Sequence, residues 1–263
     1  MRKLLLDFTP TAFINLMKVS LDSGYNFLSM SEFFQRREKM DRELKFIILR
    51  HDIDKRPQNA ERMAIIEHSM GIRGTYYFRK RSSGWEAGAI EKIKNLGHEI
   101  GYHYEDLSRN KGNHNNAWDD FKRNLSELRS LTPVNSISMH GSPMTDIDNK
   151  ELWNHFDYRD CEIYGEPYLD IDFREVLYLT DTGRTWDSKK GNIRDKVVCN
   201  SYDLHADSTW DLINLLSSNK FPNKILFTIH PQRWEPFGAR WLRELGMQKI
   251  KNLVKRFVAH TRK

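Results

Sequence analysis

Six acidic and imidazole side chains stand at or just after the ends of apolar runs. Asp52 and Asp54 follow residues 45–50, His103 closes 98–103 and His140 closes 134–140, while Asp181 follows Leu179-Thr180 and His230 closes 225–230. Asp52 and Asp54 are two apart, so if strand geometry continues they project to the same face. Carboxylates held side by side repel, and a bound cation relieves that cost. Oxygen and imidazole donors together suit zinc and other divalent first-row metals. Taken singly, a histidine at a strand end is more often structural than functional, and Asp-x-Asp is as readily a loop or helix cap. Taken jointly, five strand ends bearing Asp or His point to one site, because unrelated caps would use Ser, Asn and Thr just as often.

Such a site needs strands that end at a common mouth. Apolar, β-branched or aromatic runs at 45–50, 74–79, 98–103, 134–140, 161–164, 176–180, 197–202 and 225–230 read as strands, and a short stretch at 25–28 falls within a helical extension at the N-terminus. Helical patterns at 11–23, 57–70, 87–96 and 116–131 alternate with them, and Gly71 and Gly97 stop two of these helices. Alternation of this kind argues for βα units, whose active sites form where strands end and βα loops begin. No repeat of fixed period is present, so one domain is the simplest organisation over residues 1–263. It has a helical extension at 1–44 and a basic C-terminal helix at 239–263.

The 39% hydrophobic and 12% aromatic content of the 263 residues is enough to build a core and excludes a disordered chain. No run of about 18 apolar residues exists, and Asp7 and Pro10 cut the opening Leu4-Leu5-Leu6 too short for an export signal, so a cytoplasmic protein is expected. Cys161 and Cys199 lack Cys-x-x-Cys spacing and read as two unpaired thiols. The net charge of +6 is local rather than general. Residues 239–263 hold eight Lys or Arg against Glu244 alone, leaving 34 basic and 35 acidic residues elsewhere. A nearly neutral body gives no reason to expect nucleic acid as a partner.

The series Arg50-His51-Asp52-Ile53-Asp54, Gly97-His98-Glu99-Ile100-Gly101-Tyr102-His103, Met139-His140-Gly141-Ser142-Pro143, Asp181-Thr182-Gly183-Arg184-Thr185-Trp186 and Leu226-Phe227-Thr228-Ile229-His230 resembles the ordered motifs of the polysaccharide deacetylases, carbohydrate esterase family four. The match runs from about residue 46 to 234, and Gly-His-Glu-Ile-Gly-x-His is its strongest part. The resemblance implies an α/β fold, a distorted (β/α) barrel of about seven strands, in which a metal-activated water attacks an acetyl carbonyl. It implies Asp52 as general base, Asp54 and His103 as metal ligands and His230 as general acid. Asp181, Arg184 and Trp186 would then be outer partners or substrate-binding residues, with the indole as a stacking wall for a sugar face. The implied cofactor is a divalent metal ion, zinc first, and the implied substrate is an acetylated sugar or polysaccharide precursor.

Two departures bear on the site. The family commonly has adjacent aspartates where this chain has Asp52-Ile53-Asp54. Its second motif usually ends in a second histidine, where this chain has Leu107, which cannot bind a metal. His140 is the first candidate for the missing ligand, with Asp106 or Glu105 behind it. If no third ligand exists, a non-catalytic glycan-binding barrel is the alternative; a hydrolase of a non-sugar amide on the same fold is another. A glycosyltransferase would explain Asp52-x-Asp54 but leave His103, His140 and His230 without work.

From Trp241 onward, Leu242, Leu245, Ile250, Leu253, Val254, Phe257 and Val258 follow three-and-four spacing. This predicts an amphipathic helix that packs its apolar face on the barrel and turns a basic face outward, with peripheral contact to an anionic membrane surface or an acidic glycan through 239–263 as the other reading.

Overall fold

The computed structural model describes residues 6–41, 43–141, 145–186, 206–218 and 221–261, with side chains described to residue 253. The strand expected at 197–202, Cys199, and Ser142 and Pro143 of the third motif lie outside those residues. In chain order the elements are α1 (Pro10–Asp22), β1 (Asn26–Leu28), α2 (Met30–Arg36), β2 (Phe46–Ile53), α3 (Pro57–Ser69), β3 (Thr75–Phe78), α4 (Ala87–Asn95), β4 (Glu99–Tyr104) and α5 (Asp106–Arg109). They continue with α6 (His114–Arg129), β5 (Ile137–Met139), α7 (Pro167–Asp170), β6 (Leu177–Thr180), α8 (Thr209–Leu216), β7 (Lys224–Ile229) and α9 (Ala239–Thr261). No described helix is long and apolar enough to cross a membrane.

All the strand pairs are parallel, in the order β5-β4-β3-β2-β7-β6, and the sheet curls into a half barrel flanked by helices, the distorted β/α barrel expected. One edge of β2 is shared, β1 pairing with Phe46, Ile47 and Ile48 and β3 with Arg50 to Ile53. Residues 26–28, expected within a helical extension, therefore belong to the sheet. Every residue of β2 is buried, as befits a central strand covered on both faces.

Alternation along the strands sorts side chains between the two faces. Ile47, Leu49, Ile225, Phe227 and Ile229 pack outward with α1 and α8, and Ile100, Tyr102, Tyr104 and Ile137 pack with α4 and α6. The opposite phase fills the concave face. Phe46, Ile48, Leu226 and Tyr178 form an apolar plug with Phe33 and Phe34 of α2. Above that plug the same phase of β2 supplies Arg50, then Asp52, then Asp54, so the site lies on a wall whose register is fixed by its base.

Three expectations are corrected here. Strand β2 does not end at Arg50 but runs to Ile53, so Asp52 is held in the ladder opposite Tyr77 and only Asp54 stands past the end. Residues 161–164 are not a strand. A 3₁₀ turn occupies Tyr158–Cys161, its start held by Asp157 accepting from the Arg159 amide and its end marked by Glu162 at φ 58°. Finally, α9 buries Trp241 and Gln248 against the barrel but turns Leu242, Ile250 and Leu253 outward, so its apolar residues are divided between two faces.

Candidate metal centre

Asp54, His103 and His140 come from the ends of β2, β4 and β5, and one donor atom from each lies within 4.8 Å of the others. Asp54 Oδ1 is 3.8 Å from His103 Nε2 and 3.4 Å from His140 Nε2. The tautomer of His103 follows from its other nitrogen. Nδ1 is 2.9 Å from the Ser138 carbonyl oxygen, which can only accept, so Nδ1 carries the proton and Nε2 turns its lone pair to the site. Burial pushes the His103 imidazole down to about 4, so it is neutral near pH 7.

His140 is placed by its own backbone, its amide donating to Tyr104 O and its carbonyl accepting from Asn149. Burial acts against its charged form, but Asp54 on one side and Glu105 on the other raise it to about 9. Glu105 Oε2 lies 3.0 Å from His140 Nδ1 and accepts from Arg79, while Oε1 accepts from Arg79 and Arg109. Imidazole backed by a carboxylate is the usual support for a metal-binding histidine. Asp54 is held by Gln232, which donates to Oδ2, and by Arg81, which donates to its carbonyl.

The donor set fits a divalent cation on two counts. One carboxylate oxygen and two imidazole nitrogens suit zinc and its first-row neighbours. Asp54 Oδ1 is also a buried oxygen without a hydrogen-bond partner, lying between the two imidazoles and 3.9 Å from Arg79 Nη1, and a buried oxygen that accepts no hydrogen bond costs stability. The other two candidates for the third ligand are elsewhere engaged. Glu105 stands behind His140, and Asp106 faces the helical layer, accepting from Tyr102 and Asn124, with burial pushing it up to about 6. Leu107 is core.

Asp52 differs from Asp54 in having its charge balanced within the protein. Arg50 Nε and Nη2 donate to its two oxygens at 2.8 Å, and the guanidinium lies 5.5 Å from the Tyr77 ring and 4.9 Å from the Tyr168 ring. Burial alone would raise the Asp52 carboxyl, but the Arg50 charge and hydrogen bonds bring it below its ordinary value. Oδ2 remains 3.6 Å from His103 Nε2, so the carboxylate faces the site. Gly101 makes this layer possible, since a Cβ there would meet the Tyr77 ring at 2.3 Å.

Across the mouth, His230 Nδ1 is 2.7 Å from Asp181 Oδ1, while Asp181 Oδ2 accepts from the His230 amide and from Trp234. Burial and the Arg233 charge lower the imidazole, yet Asp181 leaves it raised overall. Its Nε2 lies 4.0 Å from Asp54 Oδ2. The structure thus brings Asp52, Asp54, His103, His140, Asp181 and His230 together.

It does not bring Trp186 or Arg184 to them. Trp186 has no exposed surface, packs among Phe8, Phe227 and Trp234 and donates to Thr209, so it offers no face to a sugar. Arg184, at φ 58°, donates to the carbonyls of Asp7 and Arg233 and stacks over Phe8 and Trp241, which makes it a staple between termini. Reading the sequence missed Arg50, Arg79 and Gln232. The spacing of Arg50, Asp52 and Asp54 on one strand face was the available signal for the first; the other two had none.

No protein-family model matches the chain, and neither does any curated protein sequence. Among solved structures, a family 4 carbohydrate esterase from Bacillus anthracis is similar at TM-score 0.43 and 12% identity, over 91% of this chain and 86% of that one. The Xyl-CE4 domain of a multidomain xylanase from the hindgut metagenome of Trinervitermes trinervoides is similar at TM-score 0.38 and 13% identity, over 80% and 84%. A CE4 family pseudoenzyme from Bacillus anthracis is similar at TM-score 0.42 and 10% identity, over 91% and 77%. Likenesses at this level leave the chemistry to the residues themselves. All three proteins are described as members of carbohydrate esterase family four, the family whose ordered motifs this sequence resembles.

Proposed function

We propose that the chain is a metal-dependent hydrolase that removes an acetyl group, N-acetyl in preference to O-acetyl, from a sugar or polysaccharide precursor. The observation that carries this reading is the convergence of Asp54, His103 and His140, with a buried Asp54 oxygen between them that accepts no hydrogen bond. A divalent ion held by these three residues, zinc first, would supply Lewis acidity toward water and the acetyl carbonyl.

The remaining work falls to the protein. Arg50 keeps Asp52 ionised and fixed in direction, at some expense in basicity, so that it can accept the proton of the attacking water. Asp181 holds His230 by Nδ1 and leaves Nε2 to give a proton to the departing atom. The raised affinity of His230 for its proton suits that role. An amine departs as an anion only at great cost, so an amide requires this acid more than an ester does, and the construction favours N-acetyl substrates.

A second reading has one observation in its favour. Both oxygens of Asp52 are engaged by Arg50, an arrangement equally suited to a non-catalytic barrel that binds a glycan. Metal analysis of the purified full chain, joined to acetate release from N-acetylated oligosaccharides, separates the two. The hydrolase requires about one equivalent of metal and acetate release that stops on chelation. Metal uptake and glycan binding without acetate release would replace it with the second reading.

A further inference from the structure

We propose that the outer face of α9 is a docking surface for an anionic lipid bilayer. The helix is fixed to the body by its inner face: Trp241 Nε1 donates to the Asp7 carbonyl at 2.8 Å and Asn252 to the Gly183 carbonyl at 2.9 Å, with Arg184 stacked over the Trp241 ring. With that face satisfied, the helix still carries apolar side chains that are more than half exposed. Leu242, Ile250 and Leu253 are 54%, 65% and 56% exposed, and Phe237, just before the helix, is 62% exposed. Of the nine exposed large hydrophobic side chains among the described residues, five lie between Phe237 and Leu253. Among the described residues, apolar exposure is thus concentrated on α9 and the residues just before it.

Helical geometry gathers these residues into a stripe. At about 100° per residue Leu242, Leu253 and Ile250 fall within an arc of roughly 80°. Lys249 borders the stripe on one side and Arg243 on the other, with Arg240 and Lys251 further round, and all four are exposed. An apolar stripe between rows of Lys and Arg is the pattern by which a helix lies in a membrane surface. Its apolar side chains enter the acyl boundary while long basic side chains reach anionic headgroups.

Charge selects the occupant. Residues 239–263 carry eight basic side chains against one acidic, on a body with 34 basic and 35 acidic residues. A second copy placed against this face would set two strongly positive helices side by side, which repel, whereas an anionic bilayer is complementary to it. The inference is independent of the metal centre and goes beyond the acetyl chemistry. At Gly183, α9 is fastened to the turn that begins with Asp181, the partner of His230.

The test is co-sedimentation of the full chain with vesicles of phosphatidylcholine alone and of phosphatidylcholine mixed with phosphatidylglycerol, at low and high salt. The bound fraction should partition at least about tenfold more strongly onto the anionic vesicles and weaken with salt. A triple variant, Leu242→Asn with Ile250→Asn and Leu253→Asn, should lose that binding while melting like the parent. Should the triple variant fail to fold, replacement of Arg240, Arg243, Lys249 and Lys251 by Gln is read instead and should lose binding likewise. Equal partition on both kinds of vesicle would overturn the proposal, as would retained binding by a folded variant. So would a parent that ignores vesicles and forms dimers by ultracentrifugation, dimers that the variants abolish.

Discussion

At the N-terminal ends of the strands Glu99 accepts four hydrogen bonds, from the Ser31 amide and hydroxyl, Thr75 and Ser136. At the C-terminal ends Asp54 offers a buried Oδ1 that accepts none, between two imidazoles, one of which turns a bare nitrogen toward it. Both acids lie on the concave face of one sheet, yet one accepts a full set of hydrogen bonds, whereas Oδ1 of the other accepts none and has His140, His103 and Arg79 only at 3.4, 3.8 and 3.9 Å. A carboxylate with a full set of donors ties elements together, here α2 to β3, β4 and the approach to β5. A buried carboxylate oxygen with no close donor, set between two imidazoles able to ligate a metal, has the shape of a cation site. A divalent ion would fill it by displacing the proton that Asp54 and Glu105 favour on His140.

The largest effect that could break this contrast comes from the mouth. Asp54→Asn should weaken metal binding by more than about 100-fold and lower acetate release about a thousandfold, while the melting temperature of the metal-free protein stays level or rises. Calorimetric titration with zinc and a thermal melt check the two halves separately. A large loss of stability would mean that Asp54 is structural after all. At the base, Glu99→Ala should behave in the reverse sense. It strands four hydroxyl or amide donors, two of them fully buried, and should cost roughly 3 kcal/mol by urea unfolding, with zinc stoichiometry unchanged in the folded fraction.

Asp106 sharpens the comparison as an intermediate case, buried and served by neutral donors only, Tyr102 and Asn124. Burial raises it from the ordinary 3.8 to about 6, so the folded state holds its proton more tightly than the unfolded one. For an acid shifted upward, the stabilisation is full below pH 3.8 and is lost as pH rises through 6. Asp106→Asn should abolish that part of the pH dependence, gaining on the parent between those limits by at most about 3 kcal/mol. Parallel urea curves across this window would count against it. The smallest expected effect is that of Glu105→Gln, which leaves His140 with a weaker outer partner and should reduce zinc affinity by about 10- to 100-fold without abolishing it.

Much of the mouth was legible because its residues mark where buried strands end, and strand ends are what apolar runs reveal. His140 was identified as the substitute for the ligand that Leu107 cannot be, and it is the third member of the cluster. Trp186 was misplaced for a local reason. It follows Gly183 and Arg184, both at positive φ, and that turn carries the chain back so that the indole enters the core. The Arg50 clamp could have been inferred from its same-face spacing with Asp52, but nothing in the spacing indicates that both carboxylate oxygens are engaged. The Arg79 and Glu105 support depends on contact between the ends of β3 and β4, which no single segment encodes. The division of α9 between an inner and an outer apolar stripe was hidden because three-and-four spacing does not say which residues meet the barrel.

X-ray absorption at the zinc edge of the reconstituted full chain tests the centre most directly. Two imidazole nitrogens at about 2.0 Å and a carboxylate oxygen are predicted, with one imidazole lost in His140→Ala. A shell of oxygens only, or one unchanged by that substitution, would contradict the assignment of Asp54, His103 and His140 to a single ion.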